Sequence, residues 1–129
     1  LIISNPPFYT DDFKSGNKAR DKARFEEALP FTELLSSVSK LLSPSGQLNV
    51  IIPFSEEENF INLAKKKGLY LSRILRVRGQ ESSPLKRSLI CFTFKEKSVD
   101  DIRELTIEIT RHQYTEDYIN LTKDFYLKL

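Results

Sequence analysis

The chain has 129 residues, 40% hydrophobic and 29% charged, a length and balance that fit one soluble domain with its own core and exclude a disordered chain. No apolar run is long enough to cross a bilayer and no secretory signal pattern is present. The single Cys91 excludes an internal disulfide and any multi-cysteine metal site, and a cytoplasmic setting fits.

The net charge of +2 is too small to argue for nucleic acid, but its distribution is uneven. Residues 14–24 carry five basic groups and one acid, and residues 73–87 again five and one, so each segment is +4. Residues 98–129 carry four basic and seven acidic groups, or −3. Two such basic segments form either a local phosphate-attracting surface or two solvated faces.

In chain order, Leu1 to Ser4 reads as a short apolar strand ended by Asn5-Pro6-Pro7, where proline removes backbone donors and restricts the residue before it. A chain without methionine that opens on Leu1-Ile2-Ile3, inside a strand pattern, is expected to have lost residues before Leu1. Tyr9 to Ala28 is polar, basic and poorly periodic, as a long functional loop would be. Leu34, Leu35, Val38, Leu41 and Leu42 recur at helical spacing, and Pro44-Ser45-Gly46 ends that helix. Gln47 to Pro53 is a strand, and Ser55 with Glu58 forms a capping-box pattern for a helix with Phe60, Ile61 and Ala64 inside and Gly68 at its C-terminal cap. Leu69 to Arg78 and Ser88 to Lys95 are strands joined by a polar loop containing Gly79 and Pro84, hence an antiparallel pair at one edge of the sheet. Leu105, Ile107 and Ile109 alternate as a further strand, and Thr115 starts a last helix with Tyr118, Leu121 and Phe125 on one stripe. Strands alternating with helices imply a largely parallel sheet in an α/β fold. Cys91, within Leu89-Ile90-Cys91-Phe92, is expected as a buried thiol, and lone His112 has no partners for a metal.

Asn5-Pro6-Pro7-Phe8 directly follows the first strand, at the end where open α/β sheets place their ligands. A planar amino nitrogen, such as that of adenine, is a poor nucleophile because its lone pair is delocalised. The Asn5 side-chain oxygen and the Pro6 backbone carbonyl are two acceptors for its hydrogens, held in place by the tandem prolines. Phe8 offers a ring for an extruded base. The competing reading is a tight turn capped by a buried phenylalanine.

On Ile2-Ile3-Ser4-Asn5-Pro6-Pro7-Phe8, Arg20-Asp21-Lys22-Ala23-Arg24-Phe25, and Tyr114-Thr115-Glu116-Asp117-Tyr118 continuing to Phe125-Tyr126-Leu127, the sequence resembles the amino-methyltransferases with an Asn-Pro-Pro-aromatic motif. Within them it is most similar to the bacterial tRNA1(Val) adenine-37 N6-methyltransferases. The resemblance implies the C-terminal half of a Rossmann-like, S-adenosylmethionine-dependent methyltransferase fold: an α/β mixed sheet with an antiparallel edge pair. Residues 1–129 would be the C-terminal part of a single domain, with the motif at 5–8 and the final strand and helix at about 105–127. It also implies that Asn5, Pro6, Pro7 and Phe8 bind and activate an adenine in tRNA, with Asn5 also next to the cofactor. Charge adds Lys18, Arg20, Lys22 and Arg24, and then Lys86 and Arg87, as RNA contacts; Arg73, Arg76 and Arg78 are weaker candidates of the same kind.

The family's glycine-rich turn and ribose-binding acid have no counterpart, since Gly16, Gly46, Gly68 and Gly79 are scattered. The cofactor half is therefore expected upstream of Leu1, and the 129-residue piece is expected to be inactive alone and to self-associate through the open edge of the strand at 1–4. The motif equally suits a guanine amino group in rRNA or a glutamine amide in a release factor. A fragment that only binds RNA is the non-enzymatic alternative. No membrane or metal partner is expected.

Overall fold

A computed structural model describes residues 1–7 and 30–128. The motif's last residue Phe8, the basic residues Lys18, Arg20, Lys22 and Arg24, and the loop expected from Tyr9 to Ala28 lie outside the described residues.

The helical spacing in the thirties becomes α1, Phe31–Leu41, with Phe31, Leu34, Leu35 and Val38 buried. Glu33 in its first turn and Lys40 in its last suit the helix dipole, and the backbone turns extended at Leu42. Strand β1, Ile2–Ser4, runs parallel to β2, Leu48–Pro53, whose burial alternates residue by residue. Leu48, Val50 and Ile52 point into the core, while Asn49, Ile51 and Pro53 are half-buried on the opposite face. A short 3-10 turn, Phe54–Glu56, leads into α2, Glu57–Lys66, which ends where Gly68 takes a φ of +74°. That left-handed conformation is the reason for glycine there.

Strands β3, Tyr70–Gln80, and β4, Leu85–Thr93, form an antiparallel hairpin, followed by β5, Asp101–Thr110, β6, Gln113–Tyr114, and α3, Glu116–Thr122. The sheet order is β1-β2-β4-β3-β5-β6. The expected mixed sheet with an antiparallel pair is present, but the pair stands inside the sheet rather than at one edge, because β5 (parallel to β3) and β6 extend it beyond that pair. Since β4 runs against both β2 and β3, the carboxyl ends of β1, β2, β3 and β5 all lie at one end of the sheet. Helices α1 and α2 cover one face, where the Phe31 and Phe60 rings meet edge to face at 4.8 Å and Phe92 lies 5.6 Å from Phe60.

Local readings differ in three places. No side-chain cap bond forms at the start of α2: the 3-10 turn after Pro53 carries Ser55 and moves the N-cap to Glu56, so Ser55 and Glu58 make no capping box. Gly79 lies inside β3 rather than in the loop, because β3 stays paired with β5 as far as Gln80. The last helix ends at Thr122, so Tyr118 and Leu121 are helical and Phe125 falls outside the expected stripe. Its start is as expected, the Thr115 hydroxyl accepting from the Tyr118 amide at 3.2 Å. Cys91 is a buried free thiol in β4.

Candidate functional site

Ser4 is the last paired residue of β1, level with Val50 of β2, and Asn5-Pro6-Pro7 leaves the sheet at the shared carboxyl end. Pro6 is buried, while Asn5 and Pro7 are exposed. The buried proline anchors the turn, and the amide next to it stays accessible.

Asn5 lines a cavity of about 540 Å³ on the sheet face that α1 and α2 do not cover. Ile3, Ile51, Leu75 and Leu89 contribute apolar walls, Arg73 and Arg103 polar ones, and Leu121 of α3 closes one side. An open apolar wall with a few polar groups at its rim is the usual build of a small-molecule or base site.

The second candidate set divides. Lys86 and Arg87 are exposed at the start of β4, where Arg87 pairs in register with Pro53, so they stand at the same end of the sheet as Asn5. Arg73, Arg76 and Arg78 lie on β3, an interior strand flanked by β4 and β5, and two of them are neutralised. Arg78 Nη2 meets Glu104 at 2.5 Å. Arg76 grips Glu57 through Nε at 3.2 and 3.1 Å and through Nη2 at 2.6 Å, while the Ser88 hydroxyl donates to the same carboxylate at 2.5 Å. With Arg76 and Arg78 paired, the cations of residues 73–87 without a carboxylate partner among the described residues are Arg73, Lys86 and Arg87.

The Glu57–Arg76–Ser88 cluster had no signature in the sequence, because its members lie 19 and 31 residues apart. Burial pushes the Glu57 carboxyl up, but the hydrogen bonds from Arg76 and Ser88 and the Arg76 charge outweigh it, so the group titrates below its ordinary value of 4.5. The hydrogen bond to Glu57 raises Arg76 in turn, against a smaller opposing effect of burial. Arg76 also lies over the Phe54 ring, 5.8 Å from its centroid. Among the described residues, no group of three or more His, Cys, Asp or Glu is placed to hold a metal ion, and no helix is long and apolar enough to cross a membrane.

No family model matches the chain. Among solved structures it is similar to a predicted O-methyltransferase from Agrobacterium tumefaciens, with a TM-score of 0.59 and 14% identity over 72% of this chain and 45% of that one, a likeness of fold. Curated relatives named tRNA1(Val) (adenine(37)-N6)-methyltransferase match all of it: 54% identical in Christiangramia forsetii and 53% in Flavobacterium johnsoniae. A relative of the same name from Bacteroides fragilis is 44% identical over 99% of the chain. The chain spans about half the length of these relatives, 53%, 55% and 54% respectively. It is, over its whole length, a partial, C-terminal match to the curated tRNA1(Val) (adenine(37)-N6)-methyltransferases, on an α/β mixed sheet of the methyltransferase kind.

Proposed function

We propose that this chain is the base-facing part of an S-adenosylmethionine-dependent methyltransferase that modifies the N6 amino group of an adenine in tRNA, in the cytoplasm. The supporting observation is the exposed Asn5 beside the buried Pro6, at the carboxyl end of β1, in a chain 54% identical to proteins of that name. In this reading the Asn5 side-chain oxygen and the Pro6 carbonyl accept the two amino hydrogens. Their alignment builds negative charge on the nitrogen at the moment of attack and stabilises the transition state more than the bound base. Phe8 is assigned to stack on the base, and Lys18, Arg20, Lys22, Arg24, Lys86 and Arg87 to the phosphates.

The described residues do not fit the nucleoside part of the cofactor. Gly46 and Gly68 both precede strands, at the end of the sheet opposite Asn5, and Gly79 is inside β3, so none forms a glycine turn at a carboxyl end. We therefore treat residues 1–129 as the C-terminal part of one methyltransferase domain and place the main cofactor contacts in the portion of the relatives that the chain does not span. S-adenosylmethionine, when bound there, supplies the methyl group and its own leaving group. The free side of β1 fits pairing with that portion or, in the isolated piece, self-association.

The test is nucleoside and peptide mass spectrometry after incubating the full-length protein and S-adenosylmethionine with tRNA, rRNA and release factor in parallel. N6-methyladenosine in tRNA is the expected product. Methylated guanosine in rRNA or methylated glutamine in the release factor would replace this reading, and no product with any of them would leave the chain as an RNA-binding fragment.

A further inference from the structure

Phe54 is a large apolar side chain that stays 37% exposed at the carboxyl end of β2. Continuing the β1–β2 register past Ser4 and Val50 sets Pro6 level with Ile52, two residues before Phe54. At roughly 3.3 Å per residue and about 4.8 Å between strands, Phe54 and the Asn5-Pro6 turn are on the order of 10 Å apart. That is too far for Phe54 to stack on a base held at Asn5, and within reach of a nucleotide adjoining it. Arg76 lies over the Phe54 ring from the helix-covered side of the sheet, whereas Asn5 opens onto the other side. Exposed Arg87 is the register partner of Pro53, the residue before Phe54, and exposed Lys86 adjoins it.

An exposed ring backed by a cation and flanked by free basic groups is how single-stranded nucleic acid is held without reading its sequence. We infer that Phe54 is a stacking platform for a nucleotide flanking the methylated base, with Lys86 and Arg87 on its phosphates and Arg76 as a positioning residue held by Glu57 and Ser88. This rests on the adenine reading above and deepens it. Using Arg76 as a structural brace also explains why a buried ion pair stands where an apolar contact would stabilise as well.

The test uses the full-length protein and a tRNA transcript with 2-aminopurine on either side of the target adenine. Binding by the wild type is expected to quench one of the two probes by stacking. Phe54→Leu should remove that quenching and weaken RNA binding about 5- to 100-fold, the range of a lost base–aromatic stack. Its S-adenosylmethionine affinity and thermal midpoint should stay near the wild type, and Phe54→Tyr should restore the quenching. Arg76→Lys, which keeps the charge but loses the two-point grip on Glu57, should weaken quenching without abolishing it. If Phe54→Leu binds and quenches as the wild type does while the wild type methylates adenine, the platform is wrong and the enzyme assignment stands. If the wild type methylates no adenine in tRNA, the assignment itself fails.

Discussion

The two faces of the sheet are built from equally apolar strands and have opposite fates. On the helix-covered face Leu48, Ile52, Phe60, Ile90 and Phe92 are at most 2% exposed and make one packed cluster. On the other face Ile51, Leu75 and Leu89 are only half-buried, and Ile3 is 75% exposed. The first face is finished by this chain's own helices. The second is left as the wall of a cavity whose rim carries Asn5. If the proposed site is right, stability and chemistry are divided between faces, and substitutions should separate them.

The largest expected effect is on the covered face. Phe60→Ala removes a ring touching Phe31 and Phe92, and should cost about 3–5 kcal/mol of stability. Ile51→Ser on the open face should cost clearly less, about 1 kcal/mol, as expected away from a packed core. Urea unfolding of both variants in the full-length protein measures the gap; equal losses would show that the open face is as well packed as the other.

Asn5→Ala sharpens the same contrast from the functional side. Loss of one preorganised acceptor should lower turnover by about 3 kcal/mol, or roughly 100-fold, while the unfolding midpoint and cofactor affinity hold. Single-turnover methylation read beside calorimetry checks this, and near-normal turnover would remove Asn5 from the chemistry.

Glu57→Gln lies between the two. Its effect should be about 2 kcal/mol, less than for a fully buried pair because the Arg76 side chain is 29% exposed. Since Glu57 titrates below its ordinary value, its contribution is complete above about pH 4.5. It declines as the pH falls through the group's own lower pKa. The difference between wild type and variant should therefore be flat from neutrality to about pH 4.5 and shrink as the pH falls further, through the lowered pKa. A difference that grows on acidification would contradict the ion-pair account.

What could be read in advance follows from the range of each interaction. The spacing of Leu34, Leu35 and Val38, the β-rich run from Gln47 to Pro53, the glycine at 68 and the Thr115 cap are decided within a few residues, and all appear in the structure. Pro53 misled the local reading because the 3-10 turn behind it displaced the cap at Ser55. Glu57 carried no local signal, and only the β3–β4 hairpin brings Arg76 and Ser88 to it. For the same reason Arg76 and Arg78 looked like free strand cations until β5 supplied Glu104 and α2 supplied Glu57. Asn5 was legible because its motif is contiguous, whereas Phe54 acquires meaning only from the strand beside it.

The long stretch of chain between β1 and its partner β2 has a kinetic consequence. The β3–β4 hairpin closes through a turn of four residues, but β1 reaches β2 only after more than forty residues of intervening chain have been gathered in. Loop-closure entropy rises with that separation, so the hairpin should assemble first and β1 should dock last. In the 129-residue piece, the strand bearing the Asn5-Pro6-Pro7 turn would then also be among the first to detach in native fluctuations. Amide exchange should show it, with Ile3 and Ser4 losing protection at free energies well below those of Ile74 and Ile90. In that piece the Asn5 turn would thus loosen before the core behind it opens.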